Sequence, residues 1–388
     1  MARKKLAIFG STGSIGKSAL NIVRRYPDEL ELVALFAGSN HKLLAEQVRE
    51  FSPKFAGLAD ASLKGDLVKL AGNVKTKFIF TPEEISAFAA SPDYEIMLAA
   101  IVGFSGLESL LNAVKSGKKI ALANKEALVA AGDLVLKTAA LSGAQIIPVD
   151  SEHSAVFQLL QNRDISELES ITITASGGPF LYTEVNDLSS VTAEDALKHP
   201  RWKMGPKISL DSATMFNKAL ELIEAHWLFG LDEQKIEVLV HPQSIVHGML
   251  NFIDGSVFAH LSDTDMQGAI AYALGYPLKR YKAVLKRPDL TSSPLEFLEL
   301  DLKKFPAVSY ARSALKMGGA ACAVLNSANE YAGAAFLNNR IGFLDIARIS
   351  NQALEQFSSL NYSNLDDLTG IDLEVKSFIN QCVKSRKR

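Results

Sequence analysis

Seven short apolar runs recur through the first 150 residues, near 4–10, 30–36, 55–58, 77–80, 96–101, 119–123 and 144–149, and helical spacing fills most of the gaps. A strand buried on both faces reads as an unbroken apolar run, and strands alternating with helices predict a parallel sheet covered on both sides. The pattern changes after about residue 150. A helix over 153–161 leads into a strand at Ile171–Thr174, and a long loop rich in Gly, Pro, Ser and Thr follows. A helix from about Ser212 to Phe229 comes next, then β-type alternation from Ile236 to Leu261, where Asp254-Gly255 marks a hairpin turn. This predicts an α+β region with an antiparallel sheet. Pro288, Pro294 and Pro306 among charged residues mark a linker. Helical spacing returns from about 307, with Ile346, Leu354 and Phe357 on apolar faces. The fold class is α/β: an N-terminal Rossmann-like parallel sheet (1–150), a central α+β domain (151–285), a linker (286–305) and a C-terminal helical bundle (306–388). No internal repeat or low-complexity tract interrupts it.

Composition narrows the classes. The chain has 388 residues, 48% of them apolar, and a formal net charge of −2. That balance argues against a general nucleic-acid binder, and the basic end, Lys384 to Arg388, reads as a solvated tail. Two cysteines, Cys322 and Cys382, are too few for a disulfide framework and point to a reducing, cytoplasmic setting. The first apolar stretch breaks at Gly10, which does not suit a signal peptide, and the run Ile96 to Val102 is too short to span a bilayer.

Residues 10 to 16 read Gly-Ser-Thr-Gly-Ser-Ile-Gly directly after the run Leu6-Ala7-Ile8-Phe9. Spaced glycines between a buried strand and a helix predict a dinucleotide-binding turn: Gly10 for the tight turn, Gly13 for approach to a pyrophosphate, Gly16 for close helix packing. The free N–H groups at the helix start suit phosphates. The alternative is an ordinary glycine-bearing turn. An NAD enzyme usually places an acid at the end of the next strand. Here Ala37-Gly38-Ser39-Asn40 stand there, with His41 and Lys42 behind them, a set better matched to the 2′-phosphate of NADPH or to a plain helix start at His41.

Asp150 and Glu152 lie two apart at a strand end, where period two puts both side chains on one side. Two such carboxylates repel unless a proton or cation lies between them. With Glu221 on a later helix they suit a hard divalent ion, Mg²⁺ or Mn²⁺ with Co²⁺ as a third candidate; alternatively they cap the helix that follows. Asn217, Lys218 and Glu221 edge one helix face, with Ser212 at the expected helix start, and suit a phosphate near the metal or form an ordinary Lys–Glu pair. Ser176-Gly177-Gly178-Pro179 offers backbone N–H groups as an anion cradle or a plain turn. His199-Pro200-Arg201-Trp202-Lys203-Met204-Gly205 has the length and composition of a lid, or of an exposed loop with a packed Trp. Lys125, between Asn124 and Glu126 at a strand end, either holds a substrate oxygen or pairs with Glu126 on the surface. His241, His247 and His260 lack close ligand spacing for zinc.

The runs GSTGSIG (10–16), ALANKEALV (121–129), PVDSEHSA (148–155), TASGGPF (174–180), HPRWKMG (199–205) and DSATMFNKALELIEAHWLF (211–229) together resemble the 1-deoxy-D-xylulose 5-phosphate reductoisomerase family, and HPQSIVHGM (241–249) and VLNSANEYA (324–332) resemble its later segments. The resemblance covers nearly the whole chain. It implies conversion of 1-deoxy-D-xylulose 5-phosphate to 2-C-methyl-D-erythritol 4-phosphate, with NADPH and a divalent metal, in non-mevalonate isoprenoid precursor synthesis. It implies metal ligands Asp150, Glu152 and Glu221, and substrate contacts Lys125, Ser151, Glu152, Ser176, His199, Ser212, Asn217, Lys218 and Glu221, of which Ser176, Ser212, Asn217 and Lys218 hold the phosphate end. Lys125, Asp150, Glu152, His199 and Glu221 are the implied catalytic set. Implied cofactor contacts are Thr12, Gly13, Ser14, Ile15, Gly38, Ser39, Asn40, Asn124, Glu126 and Gly205, with Trp202 and Met204 as the lid. It implies a homodimer acting on a small sugar phosphate, with neither nucleic acid nor membrane as partner. Ser39 departs from the basic residue some members carry, and Arg201 and Lys203 vary within the lid motif. Two rivals are a metal-free NADP-dependent dehydrogenase of the homoserine-dehydrogenase type, which needs no acid trio, and a dinucleotide sensor, which needs neither acids nor lid.

Overall fold

The structure is a computed structural model that describes residues 3–202, 204–282, 284–291 and 294–385; Lys203 of the lid motif and residues 386–388 of the basic tail lie outside these. Seven strands come first: β1 (Lys4–Phe9), β2 (Leu30–Ala37), β3 (Phe55–Leu58), β4 (Lys77–Phe80), β5 (Ile96–Ala99), β6 (Lys119–Leu122) and β7 (Gln145–Pro148). Between and after them run α1 (Ser14–Arg25), α2 (His41–Phe51), α3 (Lys64–Ala71), α4 (Pro82–Phe88), α5 (Leu107–Lys115), α6 (Lys125–Ser142) and α7 (Ser151–Leu160). Next come β8 (Leu168–Ala175), α8 (Ala193–Ala196), α9 (Pro206–Ala213), α10 (Phe216–Phe229), β9 (Ile236–Val240), β10 (Val246–Phe252), β11 (Val257–Leu261) and α11 (Gln267–Gly275). The chain finishes with β12 (Leu298–Glu299), α12 (Ala307–Met317), α13 (Ala321–Leu337), α14 (Phe343–Gln356) and α15 (Leu365–Ser385).

The chain divides into two compact units. The first comprises residues through Ala127, Val135–Ser154 and Asp265–Lys286. Its sheet is parallel throughout, in the order β4-β3-β2-β1-β5-β6-β7. Leu6, Ala7, Ile8 and Phe9 on β1 have no exposed surface, as a central strand of a covered sheet requires. The order reverses between β1 and β5, and that switch point is where open α/β sheets bind ligands. Helix α11, far along the chain, packs on α1, β6 and β7.

The second unit comprises Leu128–Leu134, Ala155–Thr264 and Arg287 onward. Its sheet runs β11-β10-β8-β9-β12. This sheet is mixed where an antiparallel one is expected from the alternation, because β8 and β9 pair in parallel while the other neighbours are antiparallel. A crossover of some sixty residues, Ser176 to Lys235, separates β8 from β9 and lets the two run the same way. The hairpin at Asp254-Gly255 stands where its dipeptide predicts, with Gly255 at φ +84°. The expected linker contributes β12 to the sheet edge. Helix α13, Ala-rich and buried along most of its length, is the centre around which α12, α14 and α15 pack, and one apolar core joins these helices to β8, β9, β10 and α10.

Candidate active site

In the first unit the glycine turn after β1 has the steric form predicted for it. Gly10 sits at φ +99°, and a side chain there would run into the carbonyl of Ala100 past the end of β5. The N–H groups of Gly10 and Ser11 both donate to the Phe36 carbonyl at 2.9 and 2.8 Å, which ties the turn to β2. Gly16 presses α1 on the turn, where a Cβ would meet the Ser11 Cα at 2.5 Å. Thr12, Gly13, Ser14 and Ile15 line the accessible side, and Gly13 caps α1 without a side chain. That helix start presents N–H groups and the positive dipole end to a phosphate. Gly38, Ser39 and Asn40 are exposed at the end of β2, where Asn40 also accepts from the Leu43 N–H as cap of α2.

Asn124 caps α6 by accepting from the Ala127 N–H at 3.1 Å and donates to Gly103. The surface Lys125–Glu126 pair considered as an alternative does not describe Lys125. Its ammonium is buried and pairs with Asp150, while Glu126 is buried as well. Asp150 and Glu152 do neighbour each other, with carboxylate oxygens within 4.8 Å. The strand alternation invoked for them is not the reason: β7 ends at Pro148 and α7 starts at Ser151, so the two acids straddle a helix start. Asp150 accepts from the Ser151 N–H, and the Ser151 hydroxyl donates to Glu152 at 2.5 Å.

The second unit holds the other cluster. The helix expected from Ser212 to Phe229 is broken: α9 ends at Ala213, Met215 takes a left-handed conformation at φ +61°, and α10 starts at Phe216. Ser212 therefore lies in the last turn of α9 rather than at a helix start. The corner brings Ser212 beside the first turn of α10, which carries Asn217 and Lys218. Asn217 and Lys218 both donate to Glu221, which has no exposed surface. Gly177 and Gly178 are both at positive φ, and a Cβ on Gly178 would stand 2.7 Å from the Ser212 carbonyl, so the Ser176 loop lies directly on α9.

His199 Nδ1 accepts from the N–H groups of Arg201 and Trp202 at 3.2 and 2.8 Å. An acceptor at Nδ1 leaves the proton of the neutral ring on Nε2, which donates to the Ser176 Oγ at 3.0 Å. The Gly178 N–H donates to the same oxygen at 3.3 Å, so the Ser176 hydroxyl keeps its own proton for another acceptor. Burial pushes the His199 imidazole down to about 4, which keeps this tautomer neutral. Trp202 and Met204 are half-buried, Arg201 donates to the Pro242 carbonyl at 3.1 Å, and Gly205 is the cap of α9. His241 stacks on Phe297, while His247 and His260 face each other at 6.4 Å between ring centroids; among the described residues the three do not gather as a zinc set. Asp211 is a further functional candidate that its sequence context alone does not single out. It is buried between Lys207, one turn earlier, and the amide of Asn329 on α13 at 2.9 Å. The Lys207–Asp211 spacing was a visible signal; the Asn329 link, spanning 118 residues, was not.

A family model described as 1-deoxy-D-xylulose 5-phosphate reductoisomerase matches residues 6–132, one described as the C-terminal domain of that enzyme matches 146–229, and a third, for a further C-terminal domain, matches 261–378. The chain is 46% identical over 370 residues to the 1-deoxy-D-xylulose 5-phosphate reductoisomerase of Prosthecochloris aestuarii, covering 95% of this chain and 97% of the relative. Its identity to that of Clostridium novyi is 40% over 381 residues, covering 97% and 98%. A crystal structure of DOX-P reductoisomerase in complex with NADPH, fosmidomycin and magnesium superposes with a TM-score of 0.94 at 38% identity, covering 99% of both chains. The Zymomonas mobilis enzyme in complex with NADPH gives 0.92 at 39% identity, covering 99% of this chain and all of that one.

Proposed function

The chain belongs to the 1-deoxy-D-xylulose 5-phosphate reductoisomerase family, and from that premise we propose how its residues divide the reaction. It is an NADPH-dependent oxidoreductase that takes 1-deoxy-D-xylulose 5-phosphate to 2-C-methyl-D-erythritol 4-phosphate with a divalent metal. A metal-free dehydrogenase is disfavoured, because the family matches run along most of the chain and a related structure holds magnesium.

Asp150, Glu152 and Glu221 are the proposed metal ligands. The donor set fits: three carboxylates offer hard oxygens, and here Lys125 and Lys218 serve Asp150 and Glu221 as counter-ions. When bound, the metal supplies Lewis-acid polarisation of the substrate oxygens, and NADPH supplies the hydride. Lys125 orients substrate oxygens beside Asp150, with Ser151 next to it. Ser176, Ser212, Asn217 and Lys218 hold the phosphate: the Ser176 hydroxyl keeps a proton to donate, and Lys218 brings a compact charge. His199 stays neutral and aims Ser176. Trp202 and Met204 cover the bound sugar and exclude water. Phosphate binding, remote from the reacting carbons, supplies the energy for that ordering. Thr12, Gly13, Ser14, Ile15, Gly38, Ser39, Asn40, Asn124, Glu126 and Gly205 are the proposed cofactor contacts.

The observation that carries this reading is Glu221, a carboxylate without exposed surface, held by a lysine and an amide on one helix face. A core helix built for stability alone has no use for that trio. The test is loss of NADPH absorbance with 1-deoxy-D-xylulose 5-phosphate, with and without Mg²⁺ or Mn²⁺. Oxidation is expected only when sugar phosphate and metal are both present; none with any metal overturns the reading.

The protein is proposed to act as a homodimer. Supporting this, β11 is an edge strand, and Val257, Phe258 and the nearby Ile253 are exposed apolar residues along it. A cytoplasmic location is proposed on the two free cysteines. Among the described residues no helix is long and apolar enough to cross a membrane.

A further inference from the structure

We propose that Asn329, on α13, is a positioning residue for the phosphate end of the substrate, acting through Asp211; the inference rests on the phosphate site assigned to Ser176, Ser212, Asn217 and Lys218. Asp211 is 3% exposed and immediately precedes Ser212 in the last turn of α9. A buried carboxylate beside a phosphate site repels its ligand unless it is neutralised and turned away. Lys207, four residues earlier, pairs with one of its oxygens. Asn329, itself 1% exposed, donates its amide to the other at 2.9 Å. Gly333 lies one turn further along the same face of α13, where Leu210 of α9 approaches to 3.3 Å of the Cβ that a larger residue would carry. An amide and a glycine on one face thus set α9 in depth and rotation. Depth and rotation of α9 place Ser212, whose carbonyl lies so close to Gly178 that a Cβ there would meet it at 2.7 Å, and the Gly178 N–H in turn donates to the Ser176 hydroxyl. A helix of the C-terminal region thereby governs a subsite to which it lends no ligand.

The test is steady-state kinetics of Asn329→Ala beside the wild type and Lys218→Ala, with NADPH and sugar phosphate varied in turn. Loss of a buried hydrogen bond to a charged group predicts a rise of about tenfold in KM for the sugar phosphate, with kcat and the KM for NADPH near wild type. If Asn329→Ala is not recovered as folded protein, Asn329→Ser, too short to reach Asp211, is measured instead. An unchanged sugar-phosphate KM overturns the proposal. So does a joint change of kcat and both KM values with a lower Tm, the signature of a structural strut. If Lys218→Ala also leaves the sugar-phosphate KM unchanged, it is the phosphate site that falls; if only the Asn329 variant does, the fault lies with the positioning role alone.

Discussion

Glu221 and Lys218 touch on α10, and the roles proposed for them at different ends of the substrate predict that their substitutions separate. Glu221→Gln keeps size and hydrogen bonding but withdraws the charge a divalent cation needs. Turnover is expected to fall by about two orders of magnitude or more, with NADPH affinity retained by fluorescence titration. Near-normal turnover at saturating metal removes Glu221 from the ligand set. Lys218→Ala deletes the charge proposed to meet the phosphate, and the sugar-phosphate KM should rise roughly 10- to 100-fold. His199 carries a pH signature. With the ring buried, protonation is pushed from its ordinary 6.5 down to about 4, because burial disfavours the charged form. The buried arrangement is therefore fully stable above about 6.5 and weakens as pH falls towards 4. In the folded protein the ring stays neutral until pH nears 4, so sugar-phosphate KM should climb steeply only there, and His199→Gln should remove the part of that climb that exceeds titration of the substrate's own phosphate. Identical profiles for the two proteins refute the role of His199.

Among the elements, the β1–α1 turn is the most exacting. Gly10→Ala places a Cβ against the Ala100 carbonyl in a backbone region that alone costs on the order of 1–3 kcal/mol for other residues. The expected result is a lowered Tm and loss of the stabilisation NADPH confers, both read in one thermal melt; an unaltered NADPH shift contradicts the role given to this turn. Such turns are legible in a sequence because glycine spacing records a steric demand. The seven parallel strands were legible for a similar reason, since strands covered on both faces carry apolar runs without the alternation of a half-exposed strand. The α9–α10 break was not. Its left-handed residue is Met215, an apolar side chain buried at the corner, where tertiary packing outweighs the preference for glycine or asparagine. The parallel pairing of β8 with β9 was hidden too, because strand direction is set by the crossover and not by alternation.

For the whole molecule, removal of metal is the broadest test. Dialysis against a chelator should abolish turnover, and added Mg²⁺ or Mn²⁺ should restore it; activity that survives chelation refutes the acid trio as a metal centre. Light scattering should report a dimer, and Val257→Lys on the open edge of the second sheet should shift it towards monomer. A monomeric wild type rejects the edge as an interface. Pairs on nearby stretches of chain, such as Lys218 and Glu221, were legible from their spacing, whereas Asn329 and Asp211 meet only through folding. The interleaving of the two units bears also on how the protein is made. Residues 155–264, which belong to the second unit, intervene before α11 returns to cover α1, β6 and β7. At ribosomal speeds that interval lasts roughly 5–20 s. Throughout it the nascent parallel sheet is synthesised but bare along one flank, exposed to aggregation, a reason that truncation after β7 cannot yield a finished domain.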